Sequence, residues 1–221
     1  MATPGTILAI DTCEGSCSAA LVVGERVLAK RSEAIGRGHA ERLLPMIDEM
    51  FAEAGLVYAD VSRIAVTIGP GTFTGLRIGL SVARGLGLAL SKPVVGLVSL
   101  QVLAAQAGAL GGARVHTVLM GRGGQAFYQA FTATGDALPE STGEPRSMDA
   151  ADIQARIDVE PGVVIGSGAA LLGDDAAVAT IDPVVLAHLA ASLDPAAYPP
   201  EPAYFRAADA VKAKALLPIE Q

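Results

Sequence analysis

The sequence has 221 residues, 51% of them hydrophobic and 18% charged, with a formal net charge of −7 at pH 7. That length accommodates one large domain or two compact lobes whose core needs no disulfides. The acidic balance, with no cluster of Lys or Arg, excludes the basic patch on which unaided nucleic-acid binding depends. An aromatic fraction of 4% and 25 glycines point to an alanine- and valine-rich α/β core with close backbone contacts. Cys13 and Cys17 do not have the thioredoxin-like spacing and read as small strand or turn residues. No apolar leader follows a basic start, and Asp11 interrupts the first hydrophobic run, so a reduced, cytoplasmic protein is expected.

Residues 6–12 read as a buried strand that ends in Asp11 and Thr12. Residues 16–23 and 26–33 read as two further strands joined through Gly24, which makes a three-strand meander. From His39 to Ala54, Leu43, Leu44, Met46, Ile47, Met50, Phe51 and Ala54 recur at helical spacing, with Glu41, Asp48, Glu49 and Glu53 on the other side. Pro45 must lie in the first turn or kink this helix.

Residues 64–68 form an apolar strand, and Gly69-Pro70-Gly71 then turns the chain into a helix over 74–90, with Thr72 or Thr74 supplying the N-cap hydroxyl. Free N–H groups and the positive dipole end of that helix suit an anion. The loop therefore reads either as a tight turn before a capped helix or as a seat for nucleotide phosphate, without the lysine of a Walker motif. Gly75, Gly79, Ala83 and Gly87 recur every four residues and form a ridge for close approach of another helix or a sheet. The other faces are also apolar, but Arg77, Arg84, Lys92 and Pro93 argue against a membrane span.

A strand over 94–98 and a helix from Ser99 to about Ala109 complete the first half. The lobe boundary falls near residues 108–112, dividing the chain into 1–108 and 109–221. The second half starts in the same way, with strands over 115–120 and 126–133 and a third near Leu138. A helix over 148–157, a strand over 163–165, the turn Gly166-Ser167-Gly168 and a helix over 184–192 follow. The tail from Asp194 is proline-rich and extended.

The meander, followed by strands alternating with helices, resembles the ribonuclease-H-like lobe of sugar kinases, actin and Hsp70. Two such lobes face each other across a nucleotide cleft in that class. Asp11 and Thr12, with Gly71, Thr72, Thr74 and Gly75, are thus the candidate nucleotide or phosphate contacts. A carboxylate at the end of a central strand can also simply cap the loop that follows. His39, His116 and His188 lie in separate segments with no second His at i+4, so no histidine metal site is expected. Gly166-Ser167-Gly168 lacks the spacing of a nucleophile elbow.

Residues 7–12, 39–48, 69–79 and 202–206 together resemble the glycoprotease-like (M22-type) family, in its TsaB/YeaZ branch. The resemblance implies an actin/Hsp70-like (ASKHA) α/β fold of two ribonuclease-H-like lobes, the second reduced. It also implies a non-catalytic role in tRNA N6-threonylcarbamoyladenosine formation, with TsaD and TsaE as partners and tRNA met only through the complex. No catalytic residue or metal is implied, no cofactor is required, and ATP or ADP binding is expected to be weak. By the same resemblance the helices at 39–54 and 74–90 form the interface with TsaD, or with a second copy. That implication names His39, Leu43, Met46, Ile47, Met50, Leu76, Gly79, Leu80, Ala83 and Arg84. Family members carry Asp-Ala-Arg where this chain has Gly121-Arg122-Gly123. The rival from another class is an ATP-dependent phosphotransferase or peptidase acting alone, through Asp11 and the 69–75 loop.

Overall fold

The computed structural model describes residues 5–108, 111–121, 123–135, 137–173 and 178–203. The first sheet contains β1 (Thr6–Asp11), β2 (Ser16–Val23), β3 (Arg26–Ala34), β4 (Val61–Thr67) and β5 (Val94–Leu97) in the order β3-β2-β1-β4-β5. The meander pairs antiparallel, whereas β1–β4 and β4–β5 pair parallel. β1 sits at the centre and is buried along its whole length, as strands covered on both faces must be.

Strand alternation divides the core into two layers. Leu8, Ile10, Leu21, Ile64 and Val66 share a cluster with the inner faces of α1 (His39–Ala54) and α2 (Phe73–Leu90). Ile7, Ala9, Val22, Ala65 and Leu97 cluster on the other side with α3 (Ser99–Gln106) and α5 (Pro183–Ala191). Pro45 lies at the seventh position of α1, beyond the first turn, and the helix continues past it. Gly38 precedes His39 in the left-handed conformation and begins the helix without a side-chain cap.

The second sheet contains β6 (Arg114–Met120), β7 (Gln125–Thr132), β8 (Glu140–Ser141), β9 (Arg146–Asp149) and β10 (Val163–Ile165). β6 and β7 are antiparallel, β8 and β9 both pair with the far edge of β7, and β10 lies parallel to β6. This repeats the pattern of the first sheet, except that β8 and β9 share the edge beside β7 and no strand lies beyond β10 on the parallel side among the described residues. The third strand expected near Leu138 begins two residues later, at Glu140. Met148, expected in a helix, lies in β9 opposite Ala126. The helix α4 (Ala150–Val159) starts only after Asp149, whose carboxylate caps it by accepting from the Asp152 amide.

α5 departs from the expected division of the chain. Its Leu186, Ala187 and Ala190 share a core with Ile7 and Ala9, and the helix packs against β1, β2 and β4 of the first sheet. Arg63 of β4 fixes its C-terminal end by donating from Nη1 to the carbonyls of Ala190 and Leu193, groups that a helix end leaves without intrahelical partners. The proline-rich segment then runs back over the first sheet. The Gly96 amide donates to Tyr198 O at 2.9 Å and the Ala203 amide to Ile68 O at 2.8 Å. The motif residues 204–206 lie outside the described residues.

Candidate functional site

The first strand, the glycine loop and the start of α2 meet at the C-terminal edge of the first sheet, backbone against backbone. Thr72 is the N-cap of α2 and its hydroxyl accepts from the Gly75 amide at 3.2 Å. Its own amide donates to Cys13 O at 2.6 Å. The Thr12 hydroxyl donates to Gly75 O at 2.7 Å. A Cβ at Gly71 would collide with Cys13 O, and one at Gly75 with Thr12 O; one at Gly79 would lie 2.5 Å from Thr12 Oγ1. A Cβ at Gly87 would run into Val94.

The glycine ridge is therefore filled by the chain's own first strand and by the approach to β5. Asp11, Thr12, Gly71, Thr72 and Gly75 do come together, yet the loop is seated directly on the turn after β1. Thr74 is exposed at the rim. Close approach of a sheet, one of the two readings of the ridge, accounts for the glycines here.

Asp11 is 1% exposed. Its Oδ1 accepts from the Thr67 hydroxyl at 2.6 Å and from the Cys13 amide at 3.2 Å, while the Cys13 thiol donates to Thr67 Oγ1 at 3.1 Å. Burial pushes its carboxyl up to about 6 against the lowering effect of those hydrogen bonds. Burial also pushes the Cys13 thiol up, keeping it protonated and unreactive. Three residues after Asp11, Glu14 accepts a hydrogen bond from the hydroxyl of Ser167, which lies just after β10 of the second sheet. Its carboxyl rises to about 7, through burial first and Asp11 second.

Both acids hold protons more tightly folded than unfolded, where they titrate near 3.8 and 4.5. Between those values and about 7 the native state binds more protons, so stability falls as pH rises. The melting temperature should accordingly decrease from pH 5.5 to pH 8, and Glu14→Gln should flatten that decline. A Glu14→Gln variant that keeps the wild type's full pH dependence over this window would contradict the assignment.

The interface set implied by the resemblance needs correction in its facing. Leu43, Met46, Ile47, Met50 and Ala83 are completely buried, and His39, Leu76 and Leu80 are at most 6% exposed. Gly79 is buried as well. An amphipathic helix covers its own sheet with its apolar row first, and these residues are that row. Of the named set only Arg84 is exposed. The outer face of the pair instead carries Leu44, Phe73 and Leu88, exposed by 42, 53 and 85%. Ala40, Phe73, Arg77, Ile78 and Val82 line a groove of about 450 Å³ between the two helices. α2 is long and apolar enough to cross a membrane by length and composition alone, but its inner row is seated in the core just described.

His39 opens α1, and its Nε2 has no hydrogen-bond partner among the described residues. His116 is held between Tyr128 Oη at 2.9 Å and Glu160 O at 2.7 Å. Among the described residues no group of three or more His, Cys, Asp or Glu is placed to hold a metal. Gly121 closes the β6–β7 hairpin, its amide donating to Gln125 O at 2.9 Å. A Cβ there would approach that carbonyl to 2.6 Å, so this tight hairpin has no room for a side chain at 121. Arg122 lies outside the described residues. Sequence reasoning passed over Glu14, which belongs to no periodic pattern or motif, and over Thr67, which reads only as part of the apolar strand 64–68.

Two five-stranded sheets, each with an antiparallel pair flanked by a parallel strand, and Asp11 closing the central strand of the first, define an actin/Hsp70-like (ASKHA) α/β protein. The family profile for tRNA N6-adenosine threonylcarbamoyltransferase (TsaD) matches residues 31–214, and the chain belongs to this family. Within it the chain is similar to TsaB/YeaZ proteins. The tRNA threonylcarbamoyladenosine biosynthesis protein TsaB of Escherichia coli K12 is 36% identical over 126 residues, 57% of this chain and 54% of that protein. The Haemophilus influenzae TsaB is 41% identical over 100 residues, 45% of this chain and 42% of that one. The chain spans about half the length of the curated relatives it matches. The structure of YeaZ from Pseudomonas aeruginosa is 28% identical with a TM-score of 0.77, covering 90% of this chain and 99% of that one.

Proposed function

We propose that this chain is a non-catalytic scaffold subunit of the cytoplasmic machinery that forms threonylcarbamoyladenosine at position 37 of tRNA, binding and stabilising TsaD and helping to recruit TsaE. The observation that carries this reading, beside family membership, is the apolar outer face of α1 and α2. Leu44 and Leu88 stand exposed on two helices whose inner rows are already satisfied. Apolar area of this kind on a rigid helix pair suits the buried centre of a protein interface. Without TsaD the same face pairs with a second copy of the chain. The net charge of −7 fits an RNA link that runs through the partner. The chain requires no cofactor for this role.

Light scattering on a sizing column, with the chain alone and mixed with TsaD from the same organism, tests the reading. A 1:1 complex is expected. Leu44→Glu and Leu88→Glu should each weaken it by about tenfold or more, as truncating an interface anchor does. Exposed changes of this kind should shift stability by no more than about 0.5 kcal/mol. Absence of a complex at micromolar concentration would defeat the proposal and return attention to the ATP-dependent alternative. That alternative predicts turnover by the isolated chain that Asp11→Asn abolishes.

A further inference from the structure

We propose that Glu14 and Ser167 form a clasp that holds the second sheet against the end of the first, so that loss of Glu14 loosens the end of β6. Glu14 lies in the turn between β1 and β2, and Ser167 opens the short 3₁₀ helix Ser167–Leu172 that follows β10. The Ser167 hydroxyl donates to Glu14 Oε1 and accepts from the Met120 amide at 2.9 Å. One chain of hydrogen bonds thus joins the turn of the first sheet to the end of β6 in the second.

Both ends of the clasp are held in place. Gly166 adopts φ +125°, and a Cβ at Gly168 would come within 2.6 Å of Val118 Cγ1. The 166–168 backbone therefore lies flush on β6, which leaves Ser167 little freedom. On the other side Glu14 follows Cys13, whose carbonyl accepts from the Thr72 amide and whose amide donates to Asp11 Oδ1. The clasp so reports on the glycine loop as well as on β1.

The contact between the sheets through α3 is of a different kind. Leu100 and Leu103 share one core with Ile7 and Ala9 of the first sheet and with Val115, Leu119 and Phe131 of the second. Apolar packing is non-directional and lets packed elements slide, whereas a hydrogen bond fails with a small change of angle or distance. The closed state also carries a cost, since Glu14 Oε2 is buried with no partner among the described residues. Opening returns that oxygen to water.

Exchange of the Met120 amide, followed by NMR at one pH, tests the clasp in the full chain. Met120 does not bond Glu14, so only transmission through Ser167 links them. Glu14→Ala should speed that exchange about tenfold, the loss expected for a hydrogen bond to a carboxylate. Glu14→Asp, too short to reach Ser167, should act in the same direction and serves if the alanine variant does not fold. Glu14→Gln, whose amide oxygen accepts the same hydroxyl, should stay close to wild type. The double variant Glu14→Ala/Ser167→Ala should go no further than Ser167→Ala alone. Met120 exchange that is unchanged by Glu14→Ala and Glu14→Asp, while Ser167→Ala speeds it, would overturn the proposal.

Discussion

Gly75→Ala should cost the chain about 3 kcal/mol, at the upper end of what overpacking a close contact costs, and leave it folded but markedly less stable. Helix propensity alone predicts the opposite sign, because alanine is better than glycine in a helix interior by about 1 kcal/mol. The added methyl would meet the backbone oxygen of Thr12, which is fixed by β1 and cannot rotate away. Gly79→Ala meets Thr12 Oγ1 at 2.5 Å, the end of a side chain able to turn, so its cost should be smaller. At Gly85 nothing lies within 4 Å of the new carbon, and Gly85→Ala should stabilise by up to about 1 kcal/mol. Urea unfolding of the three variants checks the ranking. If Gly75→Ala proves as stable as Gly85→Ala, α2 is not seated on β1 as described.

That contrast also shows what the sequence made legible. The meander, the alternating strands and helices, and the Thr72 cap follow from local patterns, because periodicity and turn chemistry act over a few residues. The four-residue glycine spacing announced a close approach, but spacing does not say whether the neighbour belongs to the same chain. Here Thr12 and Val94 are the neighbours, brought in by the parallel pairing of β1, β4 and β5. The facing of α1 failed for a related reason. An apolar row identifies the side that wants burial, and only the sheet beneath shows that Leu43, Met46 and Met50 already have it. α5 was misplaced because a uniformly apolar helix carries no directional pattern. Glu14 was missed because its partner Ser167 lies 153 residues away, and nothing local marks such a pair.

Leu80→Glu should unfold the chain, whereas Leu88→Glu, eight residues further along the same helix, should leave it folded. Leu80 is 4% exposed within the cluster that unites α1, α2 and the first sheet. Removing a buried leucine side chain costs about 2–5 kcal/mol. A carboxylate placed there without a cation or donors adds several kcal/mol more, or takes up a proton to avoid that cost. Together these approach the whole stability of an ordinary domain, about 5–15 kcal/mol. Leu88 is 85% exposed, and a glutamate there stays in water. Far-UV circular dichroism and light scattering separate the outcomes, since an unfolded variant loses its helical signal while one impaired only in association keeps it. A folded, monomeric Leu80→Glu would mean that its row faces a partner and that α2 does not close the first sheet. Loss of folding at Leu80, with association alone lost at Leu88, would assign the inner row of α2 to the core and the outer face to the partner.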